Sequence, residues 1–239
     1  MDFRKLLAFF QVYAHIAFFI GLFYFPLLLT IPTIIVCQII FVGMCGTALF
    51  HRTIAHKNAI NPIVEKILVL LSWIGGSGSA LAWAGTHRVH HRYSDTEKDP
   101  HSPIHHGMIR TYWLSSGDAN ITRYVPDLLR KPLYEFQHKH YFKVLVFLHI
   151  IGLIFLPLSI YWAVLIVPAF LMWFAGSTVN VFCHDVNGPR NVPILEYLHA
   201  GEGWHGNHHD NPASSMFNNK YDWGGFLHRL MRLGNEVKA

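Results

Sequence analysis

Charged residues are missing from two long parts of the chain. No Asp, Glu, Lys or Arg occurs between Lys5 and Arg52, and none occurs between Lys143 and Asp185. These uncharged tracts are 46 and 41 residues long, and a helix that crosses a membrane needs about 20 apolar residues. Each tract is long enough for two passes. The pattern therefore predicts four transmembrane helices arranged as two hairpins.

Prolines divide each tract into two parts. Pro26 and Pro32 flank a short apolar segment in the first tract, and Pro157 lies near the middle of the second. Proline can end one helix and begin the next. The predicted spans therefore cover about 6–25, 32–50, 144–160 and 162–182.

A fifth apolar stretch, 67–84, is at the lower limit of spanning length and contains Gly75, Gly76 and Gly78. If it crossed the membrane, the histidines before it and those after it would lie on opposite sides. We expect it instead to be interfacial or re-entrant. The chain, 1–239, is then a single integral-membrane domain with a cytosolic cap made of 51–143 and 183–239.

The composition supports a membrane protein. Hydrophobic residues make up 52% of the chain and charged residues only 14%, whereas soluble domains carry about 25% charged residues. This excludes an ordinary soluble domain and a disordered chain. The three cysteines lie inside or at the end of the uncharged tracts, which excludes a disulfide scaffold.

The net charge of +5 comes from basic residues beside the predicted spans. They do not form a patch with interleaved aromatic residues, so no nucleic-acid partner is expected. Short loops rich in Lys and Arg stay in the cytoplasm. We therefore expect a multi-pass protein of a lipid bilayer, with both termini and the working surface on the cytoplasmic side.

Nine of the 18 histidines fall into four groups near the ends of apolar segments or in the C-terminal segment. The groups are His51-x4-His56, His87-x2-His90-His91, Asn180-x3-His184 and His205-x2-His208-His209. Positions i, i+3 and i+4 share one face of a helix, so each H-x-x-H-H motif projects three imidazoles to one side. His51 and His56 converge only if their helix frays or bends between them.

Imidazole is a good ligand for iron, copper, zinc and nickel. A structural zinc site takes four ligands, so nine histidines are too many for one metal and fit two metals with open positions for oxygen or water. The remaining histidines are expected to pack, to hydrogen-bond or to be solvated. They are His15, His101, His105, His106, His138, His140, His149, His199 and His228.

The histidine motifs resemble those of the membrane-bound fatty acid desaturases, specifically the acyl-CoA (stearoyl-CoA type) delta-9 desaturases. The similarity includes HRVHHRYSDTEKDPH from His87, GEGWHGNHH from Gly201 and YDWGG from Tyr221, and it covers roughly 46–234. The resemblance implies an all-α membrane fold of four transmembrane helices in two hairpins. A cytosolic helical cap would carry a histidine-rich di-iron site above a tunnel for an acyl chain.

The resemblance also implies roles for single residues. The expected iron ligands and catalytic residues are His51, His56, His87, His90, His91, His184, His205, His208 and His209. Asn180 is expected to contact a metal through water. Carboxylates that hydrogen-bond to ligating histidines are expected at Asp95, Asp99 and Glu202. Contacts to a substrate head group or an electron donor are expected at Arg88, Arg92, Arg110 and Arg123.

The implied activity is the O2-dependent removal of two hydrogens from adjacent methylenes of a saturated acyl chain, which introduces a cis double bond at the delta-9 position. The implied cofactors are two iron ions (Fe2+/Fe3+), with O2 as co-substrate. The expected partners are a fatty acyl substrate, carried on CoA or on a lipid, and an external electron donor of the ferredoxin or cytochrome type.

Two alternatives stay open. A related histidine-rich di-iron membrane hydroxylase or oxygenase would share the motifs but differ in their spacing and surroundings. A membrane metal-binding or transport protein is the non-enzymatic alternative. A transporter is expected to place polar ligands near the bilayer midplane, whereas the predicted spans contain only His15 and His149, which argues against transport.

Overall fold

The computed structural model describes residues 3–114, 121–218 and 220–232, and most of them are helical. The helices in chain order are α1 (Phe3–Tyr24), α2 (Leu27–Cys37, continued by a π-helix, Gln38–Ala55), α3 (Pro62–Leu71), α4 (Ala80–Tyr93), α5 (Pro103–His106), α6 (Met108–Leu114), a 3-10 turn (Thr122–Tyr124), α7 (Pro126–Leu129), α8 (Pro132–Phe155), α9 (Leu158–Tyr161, continued by a π-helix, Trp162–Ile166), α10 (Val167–Phe182), α11 (Pro193–Leu198), α12 (His205–Asp210) and α13 (Trp223–Arg232). Two short strands, β1 (His184–Asp185) and β2 (Gly188–Pro189), pair antiparallel.

Within the described residues, four helices are long and apolar enough to cross a membrane. They are Arg4–Tyr24, Leu27–Ala55, Pro132–Phe155 and Leu158–Phe182. The number of candidate spans equals the number predicted from the two uncharged tracts. Their arrangement across a bilayer and the side on which the cap lies stay predictions.

The second and third candidate spans differ in length from the predicted ones. The second helix begins at Leu27, so Pro32 lies inside it; one proline removes one backbone hydrogen bond, which packed apolar helices tolerate. The third helix begins at Pro132, not at 144. The predicted start was too late because the first turns of this helix carry charged residues, and the prediction placed the whole span in the uncharged tract. It ends at Phe155 because Leu156, which precedes a proline, is extended.

The apolar stretch 67–84 is broken into two helices. Helix α3 ends before Ser72, and α4 begins after Ser79, whose hydroxyl accepts a hydrogen bond from the amide of Ala82. Between them Gly76 and Gly78 have φ values of 61° and 91°, a region that glycine adopts without a steric penalty. No continuous helix therefore separates the first histidine group from the second.

Polar side chains from the long helices hold this break in place. Gln11 of α1 donates to the carbonyl of Gly76 (2.6 Å), and the amide of Gly78 donates to the hydroxyl of Tyr141 on α8 (3.1 Å). Gln137, also on α8, accepts from the amide of Ala80 (2.9 Å). These bonds satisfy backbone groups that would otherwise be buried without partners, and they fix where α4 begins.

Helix α13 lies against the π-helix of the second candidate span. A Cβ at Gly43 would come within 2.5 Å of the Trp223 ring, and a Cβ at Gly224 within 2.4 Å of Thr47. Glycine at both positions lets the two helices approach closely. The C-terminal part of the chain is thereby held beside the helix that carries His51.

Candidate metal centre

Four elements bring the nine motif histidines together. His51 lies near the end of the π-helix and His56 follows it, α4 supplies the second group, β1 supplies His184, and α12 supplies the last group. Backbone bonding explains the first pair, because the amide of His56 donates to the carbonyl of His51 (3.1 Å). This i to i+5 bond is that of a π-helix, so residues five apart lie one turn above each other. The required bend was predicted, but the π-helix that supplies it was not.

The nine histidines form two clusters, in each of which the potential ligand atoms lie within 4.8 Å of one another. The first cluster contains His51, His56, His87, His91 and His208. The second cluster contains His90, His184, His205 and His209. Both H-x-x-H-H motifs contribute histidines to both clusters, so α4 and α12 each contact the two clusters.

The Nε2 atoms of these rings converge. The Nε2–Nε2 distances are 2.9 Å for His51–His208, 2.8 Å for His91–His208, and 2.9 Å for His184–His205. Nitrogens bound at about 2.1 Å to one metal at right angles lie about 3 Å apart. The spacing is therefore that of donors around a shared cation.

Three carboxylates fix the rings from behind. A carboxylate oxygen of Glu202 lies 2.5 Å from Nδ1 of His51. Asp99 lies 2.8 Å from Nδ1 of His90, and Asp95 lies 2.8 Å from Nδ1 of His184. A carboxylate at Nδ1 places the proton there and leaves a lone pair on Nε2.

The converging Nε2 atoms cannot all be joined by hydrogen bonds. His208 faces two rings through one nitrogen, which carries at most one proton. Some of these contacts are therefore left without a hydrogen bond, and a cation is the group that such a donor set fits.

Burial keeps the imidazoles in the neutral form that binds metals. It lowers the pKa of His91 to about 4, with His101 and His184 adding to the effect, and the pKa of His56 to about 3. Burial and the neighbouring His91 and His184 rings lower the pKa of His209 to about 2. The pKa values of His87, His90, His205 and His208 are lowered as well, first by burial.

Two cavities lie beside the clusters. Both are lined by Trp83, by His87 and by Asn180 of α10. The ring of Trp83 stacks on that of His87, with centroids 5.0 Å apart. Asn180 thus faces space next to ligand atoms, while its contact to a metal through water stays a prediction.

The four arginines expected to contact a head group or an electron donor differ in exposure and in hydrogen bonding. Arg88 donates hydrogen bonds from all five of its N–H groups to other residues of the protein. The acceptors are the carboxylate of Asp127 and the carbonyls of Ile54, Ala55 and Tyr124. These bonds leave Arg88 no free N–H donor, and its contact to a head group or an electron donor stays a prediction. Arg92, Arg110 and Arg123 are exposed, and the last two line a surface cavity of about 410 Å³.

A buried ion network that was not predicted from the sequence lies next to His51. Arg52 is fully buried and pairs with Glu202 (2.9 Å) and with both oxygens of Asp222 (2.9 and 2.8 Å). Its guanidinium also lies 3.8 Å from the centre of the Phe217 ring, and that ring contacts His208. A signal was present, because Arg52 lies inside the H-x4-H motif and Asp222 inside the quoted YDWGG sequence.

Burial raises the pKa of Glu202 to about 7, and the Arg52 guanidinium opposes this effect. Several histidines expected to be solvated are also buried. His101 belongs to a third group of potential ligands with His90 and Asp99. His199 and His228 are almost fully buried and bond to Thr178 and to the carbonyl of Asn58.

These features define a class: a helical protein with four candidate spans in which nine histidines form two clusters, each able to hold a metal ion. Comparison with known families agrees. The model of the family named Fatty acid desaturase matches residues 26–219, which is most of the chain. The chain belongs to the fatty acid desaturase family.

Individual relatives are similar over the same region. The sn-1 stearoyl-lipid 9-desaturase of Anabaena variabilis is 31% identical over 185 residues, which make up 70% of this chain and 66% of that protein. The protein of the same name from a Synechocystis strain is 31% identical, covering 70% of this chain and 57% of that protein. The acyl-CoA C20 Delta5-desaturase of Anemone leveillei is 32% identical, covering 70% and 59%. The chain thus spans less than two thirds of the length of these relatives.

Proposed function

We propose that this protein is an O2-dependent di-iron fatty acyl desaturase that introduces a cis double bond into a saturated acyl chain, at the delta-9 position. The observation that carries the proposal is the convergence of nine imidazoles in two clusters beside cavities between apolar helices. The family membership and the names of the two stearoyl-lipid 9-desaturases support this activity. The name of the Delta5 relative means that membership alone does not choose the bond position.

Each cluster would hold one iron through Nε2 atoms, five in the first cluster and four in the second. Asn180 would contact a metal through water. When bound, the two irons supply the oxidising power that an unactivated C–H bond requires. The chain's own residues fix the ligands: Asp95, Asp99 and Glu202 hold the Nδ1 protons, so that the rings cannot turn away from the cations.

The acyl chain would bind by burial in the two cavities next to the clusters. The walls of one of them include Val42, Gly46, Ala175 and Val179, on the two helices that also carry His51 and Asn180. Each buried methylene contributes about 0.8 kcal/mol and needs no hydrogen bond. A chain held in this way presents its methylenes to the clusters at near-contact distance, which lowers the entropic part of the barrier.

The proposed reaction balances with one external donor. The substrate gives up two hydrogens, and two electrons from the donor with two protons complete the reduction of one O2 to two waters. A ferredoxin or cytochrome would supply the electrons. The carrier of the acyl chain would be CoA or a glycerolipid.

The membrane placement is also a proposal. The four candidate helices would form two hairpins, and the cap would lie in the cytoplasm with both termini. The break at 72–79 supports this arrangement, because both the first and the second histidine group then belong to the same cap. The helices α3 and α4 would run at the interface rather than cross it.

The test is expression in a host that supplies a suitable reductase, followed by mass spectrometry that locates double bonds. We expect new monounsaturated chains with the wild-type protein and with His140→Ala, a histidine outside both clusters, and none with His208→Ala. Purified active protein should hold about two irons per chain. Hydroxylated products would favour the hydroxylase alternative. An unchanged lipid profile with iron loaded and donor supplied would exclude the proposal.

A further inference from the structure

The two cavities beside the clusters share one narrow region. The first has a volume of about 70 Å³ and the second about 60 Å³. They have six lining residues in common, namely Ser77, Trp83, His87, Met172, Gly176 and Asn180. A water-sized group needs about 10–15 Å³ on this measure, so each cavity has room for about five such groups. Neither cavity alone can hold a long acyl chain.

Met172 is the flexible aliphatic residue in the shared region. It lies on α10, two turns before Asn180, and is almost fully buried. Its sulfur occupies the space next to Gly75, because a Cβ at Gly75 would lie only 2.3 Å from it. Its Cγ lies 4.0 Å from the Cβ position of Gly46 on the π-helix. Glycine at position 75 is therefore what lets the thioether lie against the 72–79 segment.

We propose that Met172 is a specificity-determining residue at the junction of the two cavities. Its side chain changes conformation to let an acyl chain pass from one cavity to the other. The position of the side chain then determines which methylene pair of the acyl chain lies beside His87. Methionine suits this role, because its three rotatable bonds let it adapt to irregular spaces. The proposal rests on the proposed function, since it assumes that an acyl chain is the ligand.

The surroundings give the path a direction. The first cavity is lined by Leu7, near the start of α1, and by Ser177 and His101. The other cavity is lined by His51 and His205 and extends away from them to Gly46 and Val42, which lie five and nine residues before His51 along the π-helix. The half of the acyl chain next to the ester should therefore occupy the first cavity and the methyl half the second.

The first test uses products. Met172→Ala should widen the junction and raise the fraction of chains desaturated at a neighbouring position at least tenfold, with two irons still bound. Met44→Ala is the matched control, because Met44 lies on the adjacent helix and lines neither cavity. An unchanged distribution of bond position and chain length in iron-loaded Met172→Ala would overturn the proposal.

The second test uses the contact with Gly75. Gly75→Ala should push the thioether toward the cavities and lower turnover at least tenfold. In the Met172→Ala background the same change should cost less than threefold, because the displaced sulfur is gone. Equal effects in both backgrounds would show that the two positions are independent and would contradict the proposed contact.

The third test does not need turnover. A stearoyl lipid with a diazirine at carbon 9 is irradiated with the iron-loaded protein, and cross-linked peptides are identified by mass spectrometry. We expect labelling of the peptide that contains Met172, and competition by unlabelled stearoyl lipid. Labelling there without any desaturation would refute the proposed function alone. Desaturation with labelling only elsewhere would refute the role of Met172 alone.

Discussion

The buried pair of Arg52 and Asp222 gives a sharp prediction about stability. Each oxygen of Asp222 accepts two hydrogen bonds: one from Arg52 and one from the backbone amide of Gly225 or Phe217, both amide bonds being 2.7 Å long. Neither side chain of the pair is exposed. Asp222→Ala would therefore leave a buried guanidinium with Glu202 as its one carboxylate partner among the described residues, and two buried amides without acceptors.

The expected cost follows from the loss of one partner of a buried ion pair, which destabilises a protein by about 3–5 kcal/mol. For a chain of this size, 1 kcal/mol shifts Tm by about 2–4 °C. Asp222→Ala should therefore lower Tm by about 6–20 °C. Unfolding of the purified protein in detergent, followed by light scattering or by tryptophan fluorescence, measures this shift.

Asp185→Ala is the matched control. Asp185 also faces an arginine, Arg190, but at 3.6 Å and with both side chains at least a third exposed. Such exposed pairs contribute about 0–1 kcal/mol, so this variant should shift Tm by at most a few degrees. Equal Tm values for Asp222→Ala and wild type, or equal shifts for the two variants, would refute the assigned role of the buried pair.

Three further predictions concern the metal sites, pH and topology. Asp99→Asn should lower metal affinity at the cluster of four by about 10- to 100-fold, so that purified protein retains about one iron instead of two, whereas the exposed Asp210→Asn should retain two. Burial lowers the pKa of His228 from its ordinary value of 6.5 to about 4. The unfolded chain therefore binds a proton at this side chain more readily than the folded chain does, and the free energy of unfolding should fall as the pH drops from about 6.5 toward 4. Relative to His228→Gln, the wild type should lose about 2 kcal/mol between neutral pH and pH 5, and equal losses would contradict this. Accessibility tags at Asn58 and at Glu97, which flank the broken stretch, should report the same side of the membrane; opposite sides would exclude a shared cluster in one cap.

Periodicity and motif spacing were enough to identify the clusters' members. Three imidazoles at i, i+3 and i+4 must share a helix face, so His87, His90 and His91 could be grouped from the sequence alone. What spacing could not tell is that each motif divides its members between two clusters. That division depends on how α4 and α12 cross, which is a tertiary property.

The π-helix and the buried ion network could not be predicted from the sequence, for different reasons. A π-helix has no strong sequence signature, and His51 and His56 at a separation of five fit an α-helix poorly, so a frayed end was the simplest expectation. Arg52 looked like one of several basic residues at a membrane boundary. Its burial is decided by Asp222, 170 positions away along the chain, and such a pairing becomes visible only in the fold.

The carboxylates around the clusters connect the metal sites to the rest of the fold. Asp95, Asp99, Glu202 and Asp222 bring four carboxyl groups to a region whose one buried arginine is Arg52, within the described residues. Two divalent cations would add four positive charges at the converging Nε2 atoms. The carboxylates thus balance most of the charge that the cations bring, and the cations separate lone pairs that otherwise face each other. Since such a donor set is assembled only in the folded chain, the free energy of metal binding would also be free energy of folding, and bound metal would stabilise the elements that carry the clusters.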